Sequence, residues 1–171
     1  AEAFLAVERD HGAEAVWPYF FAGTMGLVMR DGIERLRHAK GYSGQYSTIC
    51  TPLAWHGYMA GTGALRGADP REMAKSDLIV IWGTNPAVTN VHLWGGYILK
   101  ARRNGAKVVV IDPIRTQTAA HADWHLRPRP GTDAALALGM MHVIVRDGLV
   151  DQDYVGRHTL GYDALVKHVA E

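Results

Sequence analysis

Three short stretches carry side chains that could do chemistry: Gly83-Thr84-Asn85-Pro86, Asp112-Pro113-Ile114-Arg115 and Pro130-Gly131-Thr132-Asp133. The first two each follow a run of apolar residues that reads as a strand. The third precedes a long apolar helix. Gly83 allows the backbone to come close to a phosphate. Thr84 and Asn85 both donate and accept hydrogen bonds. A helix beginning after Asn90 would present free N–H groups to an anion. Asp112 stands where a nucleotide-binding sheet often places a ribose-binding carboxylate. Asp133 could accept two parallel N–H bonds from the N1–H and exocyclic amine of guanine. Each residue also has a plainer use. Asn85 and Thr89 can cap a helix, Asp133 can be an N-cap beside Thr132, and Asp112-Pro113 can be only a turn. The case for a site is convergence, because all three turns should lie along one edge of one sheet.

The elements that must position these turns follow from periodicity. Residues 76–83 (SDLIVIWG) and 107–113 (KVVVIDP) are the two clearest strands. A helix over roughly 90–103 and the Asn104-Gly105 turn separate them. Strand, helix and strand within such a span predict a right-handed parallel βαβ unit. Both strands are continuous apolar runs, which predicts a sheet covered on both faces. In an open parallel sheet, ligands bind outside the carboxyl ends of the strands. The dinucleotide fingerprint G-x-G-x-x-G is absent after the first strand, where the chain reads G-T-N-P-A-V, and this argues against an ordinary NAD-binding domain.

Elsewhere, helices are predicted over 2–11, 27–40, 52–64, 133–148, 151–158 and 163–171, with helix starts at 69–74 and 115–122. The segment 15–20 (AVWPYF) reads as an edge strand, limited by Pro18. The helix over 133–148 is apolar nearly all round, which predicts burial. The fold class expected is α/β: a mostly parallel, Rossmann-like sheet flanked by helices, forming a single region over residues 1–171.

Composition narrows the function classes. The chain has 171 residues, is 48% apolar and 20% charged, and carries a net charge of +1. That balance gives no electrostatic argument for nucleic acid or a membrane surface. No apolar run approaches the about 18 residues a membrane span requires. The one cysteine, Cys50, excludes a disulfide framework, an iron–sulfur cluster or a cysteine-rich zinc site within this chain. No signal-peptide pattern is visible, and the compartment, cytoplasmic or periplasmic, stays open. His121 and His125 are four apart, but no third metal ligand accompanies them. The Arg102-Arg103 pair reads as a solvated helix end.

Together the motifs form a resemblance. WGTNPAVTNVHLW, followed by ARRNGAKVVVIDPIRTQTAAHADWHLRPRPGTDAALALGMMHVIV, resembles the molybdopterin oxidoreductases. This is the dimethyl sulfoxide reductase family, which includes formate dehydrogenases and nitrate reductases. The likeness extends forward through DGLVDQDYVGRHTLGYDAL and backward through AGTMGLVMRDGIERLRHAKGYS and STIC, nearly the whole chain. Its specificity lies in the combination of G-[ST]-N-P, D-P-x-R-T-x-T-A and P-G-T-D-A-A-L.

The resemblance implies binding of a molybdopterin guanine dinucleotide carrying molybdenum or tungsten. It implies that Gly83, Thr84 and Asn85, with Thr89 in the same segment, lie against that cofactor. Asp112, Pro113, Arg115, Gly131 and Asp133 are implied to hold its nucleotide end. Some relatives carry arginine directly after Asp-Pro; here Ile114 stands there and Arg115 follows. The region of Cys50, with Gly57 some residues later, resembles the place where many members supply a metal ligand. A thiolate is a suitable soft ligand; the plain alternative is a small buried hydrophobe. His56, six residues on, is a candidate acid or base toward substrate, or simply a packed or exposed histidine.

Catalytic subunits of this family are several times longer. They usually begin with a cysteine-rich iron–sulfur segment and end with a domain that binds a second pterin. This chain therefore resembles one internal piece. Its expected partners are the remaining domains or subunits, an electron-transfer partner and a small-molecule substrate, and any iron–sulfur cluster belongs elsewhere in the full enzyme. Two alternatives remain open: a stand-alone guanine-nucleotide module without redox activity, and a non-catalytic α/β interaction subunit.

Overall fold

The structure is a computed structural model and describes residues 1–19, 26–46 and 51–170. The chain divides into two compact units, Ala1–Arg66 and Gly67–Glu171.

The first unit is helical. Helix α1 (Glu2–His11) ends at Gly12, whose φ of +89° takes the chain out of the helix. A 3₁₀ turn follows at Ala13–Ala15, and helix α2 spans Leu27–Lys40. Gly41 closes α2 in the left-handed conformation (φ +68°) with its N–H returned to the Arg37 carbonyl, the usual glycine ending of a helix. The Glu8 carboxylate joins the two helices. It accepts from Lys40 Nζ at 2.9 Å and from the Tyr42 hydroxyl at 3.1 Å. Lys40 holds the Glu8 carboxyl below its usual range, and partial burial followed by the Glu8 charge pushes the Tyr42 phenol up. Helix α3 covers Thr51–Thr62.

The strand expected over 15–20 does not form across its described residues. Val16 to Tyr19 belong to no sheet. Pro18 lacks an N–H, and the Val16 carbonyl is taken by the Ser43 N–H at 3.0 Å, so no ladder partner is engaged.

The second unit carries the sheet. After a 3₁₀ turn at Pro70–Lys75 come strand β1 (Leu78–Trp82), short helices α4 (Pro86–Thr89) and α5 (Val91–Leu93), a π turn at Trp94–Ile98 and helix α6 (Leu99–Arg103). Strand β2 (Lys107–Ile111), helix α7 (Gln117–Ala120) and strand β3 (Trp124–Leu126) follow, then helices α8 (Asp133–Arg146), α9 (Gln152–His158) and α10 (Tyr162–Ala170). The strands lie in the order β1-β2-β3, all parallel, with Leu78 opposite Lys107 and Val109 opposite Trp124. The expected α/β architecture, a parallel sheet flanked by helices, is present. The single helix expected over 90–103 is instead interrupted by the π turn at Trp94–Ile98.

The core lies on one face of the sheet. Ile79 and Ile81 of β1 and Val108 and Val110 of β2 pack with Ile98, Ala101, Ala106 and Ala119. The alternation that buries these four strand residues turns their neighbours the other way. That second face is only partly covered, against the prediction from the apolar runs: Ile111 is buried there, but Leu78, Val80 and Trp124 are exposed. Helix α8 corrects the sequence reading in the same sense. None of its residues is buried; it packs on α10, where His142 Nδ1 donates to the Val169 carbonyl at 2.7 Å.

Asp123 completes the ladder at the start of β3. Its backbone N–H donates to the Val108 carbonyl at 2.8 Å, and its carboxylate accepts the Val108 N–H at 2.8 Å. Arg102 lies against it, 3.7 Å from the carboxylate, and also donates to the His121 carbonyl. Arg102 is therefore part of the fold and not a solvated helix end. The Val108 N–H, working against partial desolvation and helped by the Arg102 and Lys107 charges, holds the Asp123 carboxyl below its usual range.

Ile98→Ala is expected to destabilise the protein by about 2–5 kcal/mol, read as a lower urea midpoint, because Ile98 is fully buried against both strands. A depressed folded value means that the Asp123 charge contributes stability above its unfolded value and that this contribution is lost as pH falls through the folded one. The stability gap between wild type and Asp123→Asn should therefore be constant above about pH 5. It should shrink once the pH drops below the ordinary carboxylate value of about 4, which urea midpoints measured across pH would register.

Candidate functional site

The carboxyl ends of β1 and β2 are tied to each other and to two later segments. The Gly83 N–H donates to the Ile111 carbonyl at 2.9 Å, which carries the pairing one residue past β1. Gly83 has φ +63°, and a Cβ built there would meet no protein atom within 4 Å. Backbone conformation alone selects glycine here, and it leaves the main chain bare beside exposed Thr84.

Asn85 precedes α4 but does not cap it with its side chain. Its Oδ1 instead accepts the Thr118 backbone N–H at 3.2 Å and the Thr118 hydroxyl at 2.7 Å. The Thr118 oxygen in turn accepts the Ala87 N–H at 3.1 Å. Thr118 is 0% exposed, so its hydroxyl depends on these partners. The plain capping reading of Asn85 is thus replaced by a bond across the site. With its oxygen committed to Thr118, Asn85 has its NH₂ group to offer a ligand. Thr89 is exposed and donates its hydroxyl to the Asn85 carbonyl at 3.1 Å. Asn90 uses its side chain to cap α5, accepting the Leu93 N–H at 3.1 Å, so that turn is already partly satisfied.

Asp112, just past β2, is buried. Its N–H donates to the Leu126 carbonyl at 3.0 Å, and its Oδ1 accepts the Ile114 N–H at 3.0 Å. His125 Nε2 donates to the Asp112 carbonyl at 2.9 Å. The turn reading of Asp112-Pro113 is therefore realised, and one carboxylate oxygen is engaged in it. Pro113 and Arg115 are exposed on the same loop, and Arg127 Nε donates to the Pro113 carbonyl at 3.4 Å. Thr116 caps α7 through its hydroxyl. His125 has this local role, and the His121 backbone carbonyl accepts from Arg102; among the described residues no group of three or more His, Cys, Asp or Glu side chains is arranged to hold a metal ion.

Gly131 adopts φ +82° in the loop before α8. The N-cap of α8 is Thr132, without a side-chain cap bond; its hydroxyl goes to the Arg129 carbonyl at 2.7 Å. Asp133 is the first helical residue and is not the N-cap. Its Oδ1 accepts the indole N–H of Trp82 at 2.6 Å. That bond brings the loop before α8 to the last residue of β1, beside Gly83. The three turns therefore meet at the carboxyl edge of one sheet. Sequence reasoning missed Trp82 and Thr118 as members of this edge. Thr118 lay in the quoted T-x-T-A segment, and its only signal was a hydroxyl on the buried side of a helix.

His56 is exposed on α3, in the first unit. Cys50 lies outside the described residues.

The model of one protein family, molybdopterin oxidoreductase, matches residues 20–165. The chain belongs to the molybdopterin oxidoreductase family. It is 39% identical over 163 residues to the probable oxidoreductase YoaE of Bacillus subtilis (strain 168), covering 95% of this chain and 24% of that protein. It is 31% identical over 169 residues to the dimethyl sulfoxide reductase DmsA of Escherichia coli (strain K12), covering 91% of this chain and 21% of that protein. Among solved structures it resembles the acetylene hydratase from Pelobacter acetylenicus, with a TM-score of 0.69, 26% identity, and coverage of 99% of this chain and 23% of that one. The chain thus spans about a quarter or less of the length of these relatives.

Thr118→Val keeps the shape and removes the hydroxyl, leaving the Ala87 N–H without its acceptor. It should cost about 1–3 kcal/mol, whereas Thr118→Ser, which retains the hydroxyl, should cost less; thermal midpoints of the two variants distinguish them.

Proposed function

We propose that this chain is an internal part of a molybdenum or tungsten oxidoreductase and that its second unit holds the nucleotide end of a molybdopterin guanine dinucleotide. The observation that carries the reading is the Trp82–Asp133 hydrogen bond. It sets an exposed carboxylate beside the turn at the end of β1, where a parallel sheet takes its ligands. The residues present fit such a group. Gly83 and Gly131 have bare, left-handed backbone with open space at the Cβ position, Thr84 and the Asn85 NH₂ are donors, and Asp133 is an acceptor for the guanine edge.

In this reading Gly83, Thr84, Asn85 and Thr89 contact the cofactor along the first turn. Asp112 offers its second oxygen to the ribose, with Pro113 shaping that turn, and Arg115 supplies positive charge to the diphosphate. Gly131 lets the chain approach the base, and Asp133 reads guanine. Cys50 is the proposed thiolate ligand of the metal and His56 the proposed acid or base toward substrate, each carried by family resemblance. The pterin-bound metal supplies two-electron oxidation–reduction when bound; the protein holds, orients and shields it. The remaining domains of the full-length protein complete the site and set the small-molecule substrate and electron partner.

The test is analysis of the full-length protein. It should contain molybdenum or tungsten and release GMP on acid hydrolysis. Asp133→Asn replaces an acceptor by a donor facing another donor. Removing a hydrogen bond to a charged group is worth about 1.5–3 kcal/mol, so guanine-nucleotide binding should fall about ten- to 150-fold. Metal and pterin present without guanine nucleotide would overturn the assignment.

A further inference from the structure

The geometry points to Trp82 as the positioning residue that orients the Asp133 carboxylate for guanine, an inference that rests on the guanine-reading role proposed for Asp133. Asp133 stands in the first turn of α8 and is exposed. A side chain in that place rotates freely about two bonds unless something fixes it. No backbone N–H of its own helix does so here: the N-cap is Thr132, and the Asp133 partner is the Trp82 indole at 2.6 Å, fifty-one residues earlier.

The backbone of Trp82 is itself fixed. It is the last residue of β1, in register with Ile111 of β2, and the next N–H, from Gly83, bonds back to the Ile111 carbonyl. The indole has one donor and no acceptor, so its bond to a carboxylate has a single sense. One end of the Asp133 carboxylate is thereby referred to the sheet and not to the helix that bears it. A carboxylate has about four lone-pair sites. The indole engages one on Oδ1, which leaves a lone pair on each oxygen for the two parallel donors of guanine. Two-point recognition requires the carboxylate plane to match the base plane, and an oriented carboxylate meets that requirement before the ligand arrives.

The plainer reading is that Asp133 merely satisfies a half-buried indole. The two readings differ in what Trp82→Phe does. Phenylalanine keeps an aromatic ring on the sheet and loses only the donor. If the bond serves the indole alone, base selectivity is unchanged. If it orients Asp133, selectivity falls, since an unfixed side chain must be ordered on binding at about 0.5–1.5 kcal/mol, a two- to twelvefold loss by the cited conversion of about 1.4 kcal/mol per tenfold.

The experiment uses the full-length apoprotein with GDP and IDP as probes; IDP lacks the exocyclic amine. Wild type should prefer GDP. Trp82→Phe should weaken GDP about two- to twelvefold and narrow the GDP-to-IDP preference, with a thermal midpoint close to wild type. Trp82→His, which retains a ring N–H donor, should recover part of that preference and provides the check should the phenylalanine variant fold poorly. In the Asp133→Asn background Trp82→Phe should have no further effect on selectivity. An undiminished GDP preference in Asp133→Asn would remove the guanine reading itself. A narrowed preference in Asp133→Asn with full preference in Trp82→Phe would leave that reading standing and overturn the positioning role, as would a Trp82→Phe effect that persists without the Asp133 carboxylate.

Discussion

The edge of the sheet is held by one buried hydroxyl. Thr118 donates to the Asn85 amide oxygen and accepts from the Ala87 N–H, so the turn after β1 is fastened to the helix after β2. Because the same Asn85 oxygen also takes the Thr118 backbone N–H, the two elements cannot slide relative to each other without leaving polar groups unpaired in a dry place. Gly83 and Thr84 are presented at a defined height above the strands as a result. The remaining connections, Gly83 to Ile111 and Trp82 to Asp133, come from the end of β1 beside that turn.

Hydrogen bonding also separates the candidate contacts by how much they have left to give. Asn85 has used its oxygen and Asp112 one of its two, so both are partly structural. Asp133 has given one acceptor site to an indole and remains exposed. A polar residue in a strand-end turn can thus build the turn and serve a ligand at once, and its spent atoms say which half of the group serves which purpose.

Much of this was legible in the sequence. The apolar runs at 78–81 and 108–111, separated by a helix and Asn104-Gly105, specify a parallel pair, and family motifs place three turns at its end. What periodicity could not supply was the partner of each polar atom. The Asn85–Thr118 and Trp82–Asp133 bonds span 33 and 51 residues, and no local pattern encodes them. Periodicity also misjudged coverage. It assumes that an apolar face finds a cover within the same stretch, yet Val80 and Trp124 on the sheet and one side of α8 are exposed, and no residue of α8 is fully buried. The strand expected at 15–20 does not form across its described residues for a related reason, since β-favouring residues form a strand only where another strand offers a ladder. Arg102 was misread because its partner, Asp123, lies at the entry to a three-residue strand.

The bare side of α8 matters for handling the molecule. Met140, Met141, Val143 and Ile144 stand in water along two successive turns, a greasy ridge of the kind that seeks company. In solution the chain of 171 residues presents that ridge to its surroundings. Its characteristic failure would be sticking to its own copies at high concentration, even where every strand and helix had formed correctly.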